Sequence, residues 1–388
     1  MWSRRQLLQH GAIGTSGIAA AAVLSACGSD RNNGAGDSPA SALPEPPAAL
    51  EPFDSTRPAG PATGLPRRAA WANTASVQFF LALSAGMEAA SKERGLQYLT
   101  AVSGDDPAAN LRQLESFVAR GIGALAFQPL DQQIQRPVLE AALRQGICVQ
   151  GLISPTSTLQ IAASQYNIGF TQGKAAADYI VQRLQSKAAV HYFNGDSVSP
   201  QLKLRHTGVL DGLRTGGAGI RVVSDVAGLV DYDEGGEIMR EVIAEYPDIK
   251  VILGGDAAAV GAYRELDRSG KLTEDMYFSG VDGDREALTL VKARGPYRAS
   301  IAFAWQLMGY GLGRFAADWI DGKDIPRVVV AAPIVVDSPE GVDAYLADNA
   351  NPGAVFAVRQ RYERYLPLLG NVSYRTRETI WRDEYIPN

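Results

Sequence analysis

RRAAWANTASVQFFLALSAGMEAASKERGLQYLTAV, residues 67–102, holds the fold in miniature. Ala69-Ala-Trp71-Ala-Asn73 is a short apolar run and predicts a strand. From Phe79 to Arg94, the residues Phe80, Leu83, Met87 and Ala90 recur at helical spacing, and Gly95 stops the pattern. Leu96–Val102 predicts a second strand. A strand, a helix and a strand this close together form the unit from which parallel sheets are built.

The same alternation continues outward from that unit. Helices are expected over Pro107–Arg120 and Pro137–Gln145, and strands over Gly123–Phe127 and Ile147–Ile153. A second series follows, with helices over 173–184, 202–215, 237–246, 257–270, 285–294 and 309–322. Its strands fall at 190–193, 222–226, 251–253, 277–281 and 300–303, with a last one over Val328–Val336. The pattern requires two similar α/β halves with helices on both faces of parallel sheets. Ligands of such sheets sit beyond the carboxyl ends of the strands. Those ends carry Asn73, Gln128, Ser154, Asn194, Asp256 and Asp282.

Composition narrows the function classes. The chain has 388 residues, 46% hydrophobic and 20% charged, with a formal net charge of −5. No basic run beyond the N-terminus follows a phosphate backbone, so nucleic acid is not an expected partner. There are two cysteines, Cys27 and Cys148, and three histidines, His10, His191 and His206. Neither a Cys-x-x-Cys nor a His-Glu-x-x-His spacing occurs, so no zinc site or other metal site is expected. Gly169-Phe-Thr-Gln-Gly173-Lys174-Ala175 has three residues between its glycines where a phosphate loop has four, and reads as a helix start. Gly309, Gly311 and Gly313 lie inside a helical pattern and read as close packing. No Gly-x-Ser-x-Gly elbow is present. Neither catalysis nor a cofactor is expected.

The N-terminus reads as an export signal. Arg4-Arg5 precedes an apolar run over Gly11–Leu24, and Leu24-Ser25-Ala26-Cys27 looks like a lipobox. That apolar run is shorter than the roughly 20 residues that a spanning helix needs. Residues 1–27 are therefore expected to direct twin-arginine export and to leave Cys27 lipidated on the outer side of a membrane. Residues 28–66, dense in Gly, Pro, Ala and Ser, are expected to be a flexible linker.

Lipobox, linker and two α/β halves together resemble the type I periplasmic sugar-binding proteins, the ribose-binding group in particular. The resemblance spans Arg67 to Val336. It is carried by Gln78-Phe79-Phe80, Gln128-Pro129-Leu130-Asp131, Tyr166-Asn167 before Gly173-Lys174, and Asp231-Tyr232-Asp233, followed by Gly254-Gly255-Asp256 and Gly280-Val281-Asp282-Gly283. It implies two Rossmann-like, doubly wound lobes joined by a three-segment hinge near Tyr166, Phe303 and Pro333. Lobe 1 is then 67–165 plus 304–332, lobe 2 is 166–303 plus 333–345, and 346–388 is a C-terminal extension. It implies a monomeric protein that binds a sugar between its lobes and docks on an ABC transporter permease. Presentation of the ligand to a membrane signalling partner is the alternative.

The ligand contacts the resemblance implies are Gln78, Phe79, Phe80, Gln128, Ser154, Asn167, Lys203, Arg205, Tyr232, Asp256, Asp282 and Trp305. Carboxylates and amides suit sugar hydroxyls, and aromatic rings suit sugar C–H faces. The chain departs from the ribose-binding pattern at Ser76-Val77, Ile153-Ser154, Gly255 and Phe303, where the pattern has Asn, Asp-Arg, Asn and Gln. Those departures remove hydroxyl-binding groups and imply a roomier or more apolar pocket. A polyol, a deoxy or modified sugar, a nucleoside or a glycoside with an apolar part fits that expectation.

Overall fold

The computed structural model describes residues 64–366, apart from 153, 155, 198, 199, 229 and 327. The export signal, Cys27, most of the linker and residues 367–388 lie outside the described residues.

The first series runs β1 (Arg68–Asn73), α1 (Gln78–Glu93), β2 (Gln97–Val102), α2 (Pro107–Ala119), β3 (Ala124–Phe127), α3 (Gln132–Arg144), β4 (Cys148–Leu152) and β5 (Leu159–Ala162). The second runs α4 (Gln165–Arg183), β6 (Ala188–Asn194), α5 (Pro200–Arg214), β7 (Ile220–Ala227), α6 (Tyr232–Glu245), β8 (Ile249–Leu253), α7 (Asp256–Arg268), β9 (Tyr277–Asp282), α8 (Arg285–Lys292) and β10 (Tyr297–Ala302). Then come α9 (Trp305–Ile320), β11 (Val328–Val330), β12 (Ile334–Val336), α10 (Pro339–Ala350), α11 (Pro352–Phe356) and α12 (Arg359–Tyr362).

Two six-stranded sheets result, ordered β11-β5-β4-β3-β1-β2 and β12-β10-β9-β8-β6-β7. Every pair is parallel except β10 with β12. Each sheet places its first strand between the second and third, the order whose reversal opens a crevice at the strands' carboxyl ends. Central strands bury nearly every residue, as in β3 and β4, while the edge strands β2 and β7 alternate with solvent.

The chain passes between the sheets at residues 163–164, 303–304 and 331–333. The last passage corrects the expectation of one strand over Val328–Val336. Only three residues separate β11 from β12, too few for the crossover a parallel partner needs, so β12 joins the second sheet antiparallel. The strand β5 is an addition to the sequence reading. Several helices begin earlier than expected, at Gln132, Gln165, Tyr232 and Trp305. Asp131, Ser164 and Asp231 cap the first three by accepting from backbone amides of the first turn. Tyr166 and Asn167 thus lie in the first turn of α4, with the passage just before them.

Glycine sets the closest helix pairs. A Cβ at Gly309 of α9 would stand 1.8 Å from the Leu83 carbonyl of α1, and one at Gly169 of α4 1.9 Å from the Arg205 carbonyl of α5. No side chain fits at either point, and the close approach fixes where α1 and α5 direct the residues at their N-terminal ends.

Candidate functional site

On the first sheet, Asn73 ends β1 and Thr74 follows it. The Thr74 hydroxyl donates to Gln128 Oε1 at 3.0 Å, and Gln135 Nε2 donates to the Gln128 carbonyl at 3.3 Å. Neighbours on a helix point about 100° apart, so Phe79 and Phe80 diverge at the start of α1. Phe80 is buried against Trp71, ring centroids 6.1 Å apart. Phe79 is half-buried, 4.1 Å from Phe80 and 5.1 Å from Trp305.

Trp305 is where the two sheets' residues meet. It begins α9 directly after the second passage, lies 5.0 Å from the buried Phe303 ring, and donates from Nε1 to the Asp282 carbonyl at 3.0 Å. The structure therefore brings Phe79, Trp305 and Asp282 together, although they are far apart in sequence.

Asp282 ends β9 with φ 122°, a conformation that L side chains rarely adopt. Burial pushes its carboxyl up to about 7. Arg205 opposes that rise, and Asp256 and Asp284 add to it. Asp284 is also raised, again by burial, against a hydrogen bond with Tyr232. The half-buried Tyr232 has its hydroxyl pushed up to about 12, mainly by burial, and its ring lies 5.3 Å from the Arg264 guanidinium. Arg205 is aimed by a residue the sequence reading missed: its Nε and Nη2 donate to Gln165 Oε1 at 2.9 and 2.6 Å. Next to it on α5, His206 Nδ1 lies 2.9 Å from Asp196 and Nε2 2.8 Å from Asp225, which ties the helix to the ends of β6 and β7.

The remaining expected contacts are placed differently. Asp256 has no exposed surface, and its carboxylate is taken up inside the second lobe by Gly283 N, Asp284 N, Ser300 Oγ and Tyr297 Oη. In this structure it therefore offers a ligand no open oxygen. Ser154 is 2% exposed, packed where a Cβ on Gly151 would fall. The Asn167 amide donates to Ser164 Oγ as part of the α4 cap. Gln78 and Lys203 are exposed on the first turns of α1 and α5. Asp284, Ser300 and Tyr297 went unread beside Asp256. The Asp-Gly-Asp run at 282–284 was the available signal. No cluster of His, Cys, Asp and Glu suited to a metal occurs among the described residues.

A family model described as a periplasmic binding protein domain matches residues 70–324. The chain belongs to the periplasmic binding protein domain family. This is a family of solute-binding proteins and not of enzymes. Within it, the ribose import binding protein of Bacillus subtilis is 24% identical over 267 residues, 69% of this chain and 85% of that protein. The periplasmic ribose ABC transporter structure from Conexibacter woesei superposes with a TM-score of 0.63 at 21% identity, over 74% of this chain and 97% of that one. An ABC transporter solute binding protein of Bacillus halodurans with bound myo-inositol gives 0.64 at 18%, over 73% and 99%. At these identities the structural likeness establishes the periplasmic binding protein fold. The helices α10, α11 and α12 lie beyond the matched residues.

Proposed function

We propose that this protein captures a small, neutral, hydroxyl-rich solute, a sugar or polyol, between its two lobes and delivers it unchanged to an ABC importer. In this reading residues 67–165 with 304–332 move as one body against 166–303 with 333–345, hinged at the three passages. The observation that carries it is the meeting of Phe79, Trp305 and Asp282, with the charge of Arg205 acting on the Asp282 carboxyl. A ring for a sugar's C–H face, a carboxylate for adjacent hydroxyls and a guanidinium form a minimal sugar site. Micromolar affinity requires only about −8 kcal/mol, which a few charge-assisted bonds and aromatic burial supply after ordering costs. The ribose and myo-inositol named for the relatives belong to this chemical class. Export and lipidation at Cys27 complete the proposal and hold the protein at the membrane surface.

Thermal-shift screening of the full chain against D-ribose, D-allose, myo-inositol, glycerol and nucleosides tests the capture. A compound at 100 times its Kd stabilises by about 2.7 kcal/mol and raises Tm accordingly. A chain that responds to none of them, or that converts one into a product, contradicts the proposal. Cys27→Ala should move the protein from the membrane fraction to the soluble fraction, and retention in the membrane fraction refutes the anchor.

A further inference from the structure

The turn that presents Asp282 is held from below by a buried carboxylate. Asp282 itself is strained at φ 122°, and Gly283 follows at φ 78°. A non-glycine residue keeps such a backbone only where its surroundings fix it. Here they do so from three sides. Beneath, Asp256 Oδ2 accepts from Gly283 N and Asp284 N, both at 2.8 Å, and from Ser300 Oγ at 2.8 Å. The other oxygen accepts from Tyr297 Oη at 2.8 Å, and a Cβ on Gly280 would stand 1.9 Å from it, so the carboxylate lies directly on β9. On the hinge side Trp305 donates to the Asp282 carbonyl. On the remaining side, a Cβ on Gly283 would meet Tyr345 Oη at 2.7 Å and Ala302 Cβ at 2.8 Å. Tyr345, which belongs to α10 beyond the family match, is itself fixed by donating to the Phe303 carbonyl at 2.7 Å.

We propose that Asp256 is a positioning residue: it never meets the ligand, and it holds the strained 282–284 turn so that the Asp282 carboxylate points at the bound solute. The positioning role is a property of the turn itself. Its effect on affinity rests on the reading of Asp282 as a ligand contact.

Amide hydrogen exchange of the full chain, read at Gly283 and Asp284 without ligand, separates the two parts. Asp256→Ala should speed exchange at these two amides at least tenfold while leaving β8 and the body of β9 unchanged. Asp256→Asn keeps an acceptor oxygen against both amides, so it should stay within about threefold of wild type. Should Asp256→Ala fail to fold, Ser300→Ala serves instead, because it removes a donor to Asp256 and an acceptor of Gly283 N at 3.1 Å. For whichever of D-ribose, D-allose and myo-inositol the wild type binds, Asp256→Ala or Ser300→Ala should raise Kd at least tenfold and Asp256→Asn should restore it. Unchanged exchange at 283–284 overturns the proposal, and so does altered exchange with an unchanged Kd. Altered exchange in a chain that binds none of the three supports the positioning role while refuting the sugar-binding function.

Discussion

Asp282 joins a left-handed φ, a carboxyl raised to about 7 and a contact with Trp305 in one residue. Asp282→Ala should weaken solute binding by about 1.5–3 kcal/mol, roughly ten- to hundredfold in Kd by calorimetry, the range for a hydrogen bond to a charged group. The raised carboxyl also sets a pH dependence of stability. Unfolded, it titrates near the usual value of about 4, so between about pH 4 and 7 the folded chain binds more protons than the unfolded chain. Stability from this group is present below that window and is lost as pH rises through it. Asp256, raised to about 6 by burial, acts in the same sense between about 4 and 6. Asp282→Asn should therefore flatten the fall in Tm between pH 4 and 7, and an unchanged slope refutes the assignment. Glu265 has the opposite sign. Arg240 and Arg268 hold it down to about 2, so its contribution disappears as pH falls below about 4.

At the scale of elements, helix pairs place the site. The α1·α9 crossing brings Phe79 to Trp305 through Gly309 and Gly86, whose added Cβ would stand 1.9 Å from the Gln306 carbonyl. Gly309→Ala should destabilise the chain by about 1–3 kcal/mol in denaturant unfolding, the usual cost of overpacking, and should weaken binding by separating those rings. The alternation of strands and helices was legible because the central strands are apolar and helices such as α1 and α2 bury one face. The starts of α3, α4, α6 and α9 were not. The α4 and α6 N-termini carry Gly169, Gly173, Gly235 and Gly236, which lower local helix propensity. The structure uses Gly169 and Gly235 for close approach, with hypothetical Cβ contacts of 1.9 Å to Arg205 and 2.6 Å to Ala258. The candidate aromatic and acidic residues were named from the resemblance of their motifs to the sugar-binding family, and the meeting of Phe79, Trp305 and Asp282 left no local signal. The enclosure of the Asp256 carboxylate was not legible either, because its Tyr297 and Ser300 donors come from β10, a long-range pairing that leaves no local pattern.

At the scale of the molecule, the C-terminal segment adds a tie that the matched family region lacks. The helix α10 packs on α8 of the second series, with Lys292 and Asp343 2.6 Å apart, and α11 packs on α9, which itself packs on α1 of the first. The last described residues of the segment, Tyr365 and Leu366, are both 1% exposed. Tyr365 Oη donates to Asp348 at 2.6 Å, and its carbonyl accepts from Ala332 N at the third passage. Through residue 366 the described part of this segment is an ordered strap of three helices. Tyr365→Ala should cost about 3–5 kcal/mol in unfolding free energy, as for other buried aromatic truncations. A loss below about 1 kcal/mol would show that the segment contributes little to the fold.

The central claim is that two lobes close on a hydroxyl-bearing solute. Small-angle X-ray scattering of the full chain, with and without a saturating compound from the screen, tests it most directly. A smaller radius of gyration with the bound compound is the result expected, and it should be absent in Asp282→Ala at the same concentration. An unchanged radius with every compound that binds would contradict the account.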